Sequence, residues 1–132
     1  IERRQLADMI EHNRDFIAVA DLTGRLTYMN PGGRRMIGLD QNADLGDLHF
    51  TEYLPEAWRK FLVETVVPTV REKGLWEGEM QLRNLADGRI LDVERSAFLI
   101  RDPLTGEPRS FATVTRDITE RKRAERRVTA QT

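Results

Sequence analysis

Two histidines, no cysteine and a scatter of carboxylates are the groups with which this chain could do chemistry. His12 and His49 stand apart, outside any HExxH run and without a Ser-His-Asp order around them. The lack of cysteine removes disulfides, thiolate metal sites and cysteine nucleophiles together. It also accords with a reducing, cytoplasmic setting. Gly33-Arg34-Arg35-Met36-Ile37-Gly38 has the outer glycines of a phosphate-binding loop, but Leu39-Asp40 stands where that loop needs Lys-Ser/Thr. Asp40, Asp44 and Asp47 are not at calcium-loop spacing, and solvated loop acids explain them better. No catalytic constellation and no metal site is predicted.

Arg95 breaks a pattern. The strand-like run 91–99 puts Leu91, Val93, Arg95, Ala97 and Leu99 on one face and Asp92, Glu94, Ser96 and Phe98 on the other. Arg95 therefore falls in the middle of the core face. An arginine taken out of water must be paired or must meet an anion. Three readings are open: a ligand anchor for a carboxylate or similar group, an internal salt bridge to a core-edge Glu or Asp, or snorkelling to the rim. Around it, Ala18 and Ala20 share one face of a short strand and would leave room for a ligand if they point inward. Thr113 and Thr115 alternate on the last strand and could offer hydroxyls. Leu26, Tyr28, Met36 and Ile37 are candidate walls, as are Phe61, Leu62, Val66, Val93 and Ala97, although plain core packing explains each of them too. Trp58 and Trp76 read as packing residues.

The elements that must position these residues follow from periodicity. Residues 1–14 predict an amphipathic helix with Ile1, Leu6, Met9, Ile10 and Asn13 near one stripe. Residues 16–20 and 26–29 are strands around a DLTG turn. Asn30-Pro31 is a helix start, a capping side chain followed by proline, and that helix ends near Gly38. Residues 40–55 suggest brief helical turns. Residues 56–73 form a longer helix, with Trp58, Phe61, Leu62, Val66 and Val70 on one face, a kink at Pro68 and a stop at Gly74. Strands are expected over 75–84, 90–102 and 109–118, then a helical tail capped by Thr119. Strands segregated from helices and joined by hairpins predict an α+β fold with a five-stranded antiparallel sheet. The central helices would cover one face, with the first helix a candidate cover for the other.

Composition sets the outer bounds. The chain has 132 residues, 39% hydrophobic and 33% charged, with a formal net charge of -1. That is one domain, with no overall pull towards nucleic acid or anionic membrane. No apolar run approaches the ~18 residues of a membrane span, and the given residues show no signal-peptide pattern. Ile1 in place of Met leads us to expect a piece of a longer protein. Residues 116–127 hold five Arg and one Lys against one Asp and two Glu. No aromatics interleave them, so a solvated helix is the better reading than a nucleic-acid contact. Asp117-Arg121 is the expected i,i+4 pair there. Ile118, Arg121, Glu125, Val128 and Thr132 fall near a heptad seam too thin in apolar residues to coil alone. Leu6, Met9 and Ile10 offer a better dimerisation surface.

Four stretches, in order and at family spacing, resemble a PAS domain over residues 14–119. They are DLTGRLTYMNPGG, GLWEGEMQLRNLADGR, VERSAFLIRDPLTGEP and RDITERKRAE. The resemblance implies a PAS-like sheet with flanking helices, and a last strand that feeds an outgoing signalling helix. Asp117, Ile118 and Thr119 match the Asp-Ile-Thr end motif, and by resemblance form the relay joint. It implies a cytoplasmic sensory and dimerisation module that binds a small ligand or partner and drives a covalently linked effector. That effector is most often a histidine kinase, with a diguanylate cyclase or a phosphatase as alternatives. A ligand-free structural spacer is the competing reading. Cysteinyl-flavin chemistry is disfavoured because cysteine is absent, and haem because residues 56–73 carry no histidine. The ligand itself is not specified. The expected division is 1–14 as a linker and dimerisation helix, 15–119 as the PAS domain and 120–132 as the start of the signalling helix. No enzyme activity, nucleic-acid binding or direct membrane contact is expected of this chain.

Overall fold

The first hairpin is built by one carboxylate. Asp21 Oδ1 accepts hydrogen bonds from the Thr23 and Arg25 N–H groups and from the Thr23 hydroxyl, which folds the turn between β1 (Phe16–Ala20) and β2 (Leu26–Met29). The computed structural model describes residues 2–131. Among them, β3 (Leu75–Arg83), β4 (Ile90–Arg101) and β5 (Pro108–Asp117) complete one antiparallel sheet in the order β2-β1-β5-β4-β3. β5 pairs with both β1 and β4, so the first hairpin and the last three strands meet across the centre of the sheet.

Helix α1 (Arg3–His12) falls within the predicted 1–14, while Ile1 and Thr132 lie outside the described residues. It reaches the outer sheet face at β2, where Glu11 accepts from the Tyr28 hydroxyl. It packs beside α2 (Pro31–Ile37), and Leu6 and Met9 remain 48% and 60% exposed. Asn30 caps α2 by accepting from the Gly33 N–H.

The segment 56–73 is helical as predicted, but not as one kinked α-helix. It runs as α3 (Glu56–Phe61), a π-helical turn over Leu62–Val66, and α4 (Val67–Lys73). Pro68 has no N–H to give the carbonyl four residues back, and the widened turn lies just ahead of it. Gly74 stops the run in the left-handed region, at φ 85°. These helices and α2 lie on the inner sheet face, and Phe16, Ile37, Leu54, Leu62, Val66, Val70, Leu82 and Val93 are buried between the layers. No helix among the described residues is long and apolar enough to cross a membrane.

The last helix, α5 (Thr119–Gln131), leaves β5 through a single residue. It reaches the polar outer face of β3 and β4, where Glu79, Asp92 and Glu94 meet its basic side chains. Charge complementarity thus puts α5 against the β3–β4 part of that face.

Candidate functional site

Alternation along β1 buries Phe16, Ala18 and Ala20, so the two alanines do face inward. Their missing bulk leaves a cavity between β1, β5, β4 and the π turn. It measures about 30 Å³, room for a group of a few atoms. Ala18, Ala20, Leu26, Leu62, Val66, Arg95, Ala97 and Thr113 line it, all among the expected residues. Phe50, Tyr53, Val67, Val70 and Phe111 line it as well, unforeseen as walls. The signal for Phe50, Tyr53 and Leu54 was a 3–4 spacing of apolar residues inside a stretch otherwise rich in Asp, Asn and Gly.

Several expected wall residues lie elsewhere. Tyr28 points away because a bulge between Val19 and Ala20 shifts the hairpin register, turning Leu26 and Met29 inward and setting Tyr28 opposite Val19. Its hydroxyl donates to Glu11 at 2.6 Å, and burial together with that bond pushes its pKa up to about 12. Met36 and Ile37 sit at the end of α2, where their carbonyls accept from the Asn84 side chain and the Leu85 N–H. Phe61 is wedged edge-on between Trp58 and Trp76. Val93 is fully buried in the core beyond the cavity. Thr115 does not line it either, because its hydroxyl is taken by Arg95.

Arg95 is 2% exposed, which rules out snorkelling to the rim. Among the described residues no ion pair includes it, so the internal salt bridge is absent too. Its Nε donates to Thr115 Oγ1 at 3.0 Å, and its guanidinium lies 5.8 Å from the Phe16 ring centre and 5.9 Å from that of Tyr53. Burial pulls its pKa down, while Tyr53 favours the charged form. Burial likewise pushes the Tyr53 hydroxyl up, against the pull of Arg95. Two side-chain atoms here have no hydrogen-bond partner among the described residues, Arg95 Nη2 and Thr113 Oγ1. The arrangement is a buried cation without a carboxylate in an apolar chamber, able to hold an anionic group.

The joint at the end of β5 is compact. Asp117 Oδ1 accepts from the Thr119 N–H at 2.9 Å and from its hydroxyl at 2.6 Å. The Ile118 N–H donates to the Asp92 carbonyl, and Thr119 Oγ1 accepts from the Asp92 N–H. The expected Asp117–Arg121 pair is therefore not formed, since Asp117 is spent on Thr119 and Arg121 reaches Glu79 at 3.2 Å. Lys122–Glu79 at 2.8 Å and Arg126–Asp92 at 3.0 Å complete the docking of α5. The hydrogen bond from Lys122 holds the Glu79 carboxyl below its ordinary range, and that same bond raises Lys122.

The other candidate groups serve the loops. His49 Nε2 donates to the Thr23 carbonyl, and its Nδ1 accepts from Thr51. His12 Nδ1 donates to the Asp8 carbonyl. Asp40 and Asp44 accept from the N–H groups of Asn42 and Gly46, and Asp47 pairs with Arg25.

A family model described as PAS fold matches residues 10–123, and the chain belongs to the PAS family. It is similar to the PAS domain of a Colwellia psychrerythraea protein, with TM-score 0.80, 22% identity, and coverage of 89% of this chain and 97% of that one. It is also similar to a sensory box histidine kinase/response regulator structure from Burkholderia thailandensis, with TM-score 0.66, 18% identity and coverage of 98% and 95%. A third is the N-terminal domain of a diguanylate cyclase with PAS/PAC sensor from Marinobacter aquaeolei, with TM-score 0.66, 15% identity and coverage of 82% and 98%. At these identities the likeness shows the fold. None of the curated proteins matches the chain.

Proposed function

We propose that this chain is a cytoplasmic sensory module whose Arg95 cavity takes a small ligand and whose α5 passes the resulting change to a linked effector. The observation that carries this reading is the buried, carboxylate-free Arg95, set in the same two strands as the relay joint. Arg95 pairs in register with Thr115, and Val93 with Asp117. Asp92, next along β4, holds Ile118, Thr119 and Arg126. A shift of β4 against β5 at Arg95 therefore bears directly on α5. Asp117, Ile118 and Thr119 act as the joint. The effector is a histidine kinase on this reading, in keeping with the Burkholderia structure; the Marinobacter structure favours a diguanylate cyclase as the alternative. Residues 1–14 act as a linker and dimerisation helix, 15–119 as the sensor and 120–132 as the start of the output helix. Leu6, Met9 and Ile10 form the dimer contact, and the module itself catalyses nothing and binds neither nucleic acid nor membrane.

The test is amide hydrogen exchange of the wild-type chain against Arg95→Met. Changed protection at Ile118 and along α5 supports the relay. Unchanged protection there, with the fold intact, refutes it. A second reading, a ligand-free spacer, is favoured by the small cavity of about 30 Å³. Native mass spectrometry separates the two, because a stoichiometric small molecule released on denaturation contradicts the spacer.

A further inference from the structure

Arg95 Nη2 and Thr113 Oγ1 are both buried, both belong to residues lining one cavity, and neither has a partner among the described residues. Their strands are neighbours. Arg95 on β4 is in register with Thr115 on β5, and Thr113 with Ala97, so the two side chains are diagonal neighbours on the inner sheet face. A guanidinium N–H can only donate, and a hydroxyl can rotate to donate. Both free groups are therefore suited to the same acceptor.

We propose that the cavity binds one small monoanion, of the size of chloride, nitrate or formate, between Arg95 Nη2 and Thr113 Oγ1. The inference rests on the sensory reading of this cavity and names what the cavity takes. Size limits the ligand, since about 30 Å³ admits a few atoms. Charge limits it as well. One guanidinium balances one negative charge, and the second charge of sulfate or a dicarboxylate would face Ala18, Ala20, Leu62 and Val66 unpaired. Arg95 is already oriented by its Nε bond to Thr115 and by the Phe16 and Tyr53 rings, so little side-chain freedom is lost on binding.

The experiment is thermal unfolding of this chain at constant ionic strength, with sodium gluconate replaced stepwise by sodium chloride, nitrate or formate, and by sulfate as the doubly charged control. The wild type should show a saturable rise of about 5 °C at tenfold excess over Kd with the monoanions alone. Arg95→Met should lose the response. Thr113→Val, which removes only the free hydroxyl, should need several-fold more anion for half-saturation. Equal melting temperatures in every salt, or an undiminished response in Arg95→Met, would overturn the proposal. If Arg95→Met does not fold, an unchanged half-saturation in Thr113→Val overturns it instead. Stabilisation by larger organic acids alone would also overturn it while leaving the sensory reading standing. The sensory reading fails separately, through uncoupled hydrogen exchange in α5.

Discussion

Asn30 is fully buried, and its side chain joins four segments of backbone. Its Oδ1 accepts from the Ile17 N–H at 2.8 Å and the Gly33 N–H at 3.0 Å, tying β1 to the start of α2. Its Nδ2 donates to the Ile10 and Asp15 carbonyls at 3.1 and 2.9 Å, tying in the end of α1. Asn30→Ala strips the acceptor from two N–H groups in a place water does not reach. Each orphaned donor costs about 1–3 kcal/mol, the lost cap falling within the second of them, so the expected total is about 3–5 kcal/mol. Of the three carbonyls that also face Nδ2, the Ile10 oxygen loses least, because it keeps the Asn13 N–H. Asn30→Asp separates the two halves of the side chain. It keeps an acceptor for both N–H groups but turns an oxygen towards the carbonyls of Ile10, Asn13 and Asp15. Its deficit should shrink as pH falls, because those carbonyls and burial raise the folded pKa of the introduced carboxyl, and the protonated form can donate. Urea unfolding at pH 7 and pH 4.5 measures both variants. A loss below about 1 kcal/mol for Asn30→Ala would mean that the two N–H groups find other partners, and the reasoning would be wrong.

Other expectations follow from equally local geometry. A Cβ at Gly32 would lie 2.6 Å from the Asp15 carbonyl oxygen and 2.7 Å from those of Asn13 and Arg14. Gly32→Ala should therefore lose about 2 kcal/mol or more in urea unfolding, where helix propensity alone would gain about 1 kcal/mol. The docking of α5 should be salt- and pH-sensitive. Because the Glu79 pKa is depressed from its ordinary 4.5, its contribution is present above that value and lost as pH falls through the lower folded one. Because the Lys122 pKa is raised from 10.5, its contribution is full below that value and lost only as pH rises through the higher folded one. Hydrogen exchange in α5 should accordingly report steady protection between roughly pH 5 and 10, and less below pH 4 or in 1 M salt; protection indifferent to both would show that the ion pairs do not hold the helix. Leu6→Glu with Met9→Glu should convert a dimer to a monomer in sedimentation if α1 is the contact, and an unchanged sedimentation coefficient would remove α1 from the interface.

Much of what neighbours in the chain set was legible before the fold was known, although the π turn ahead of Pro68 and the missing Asp117–Arg121 pair were not. Strand-like runs around the DLTG turn located β1 and β2 at 16–20 and 26–29, and period-two alternation in β4 turned Arg95 inward, while the inward face of β1 with its two alanines was left for the structure to decide. Asn30 followed by Pro31 marked the start of α2, and Gly74 the end of α4, because a cap is a bond between residues a few positions apart. The tertiary structure alone decided which distant groups meet. A single bulge reversed Tyr28, since one residue of slip swaps the faces of a strand. Tyr53 joined the cavity from a segment with little periodicity. Arg95 shows the division most plainly. Its inward direction is a property of the pleat, legible from alternation in β4. Its partners, a threonine hydroxyl and two rings instead of a carboxylate, depend on how β5, β1 and the loop carrying Tyr53 are brought together. No local rule fixes that, because each possible partner is far away in sequence and only chain packing selects among them.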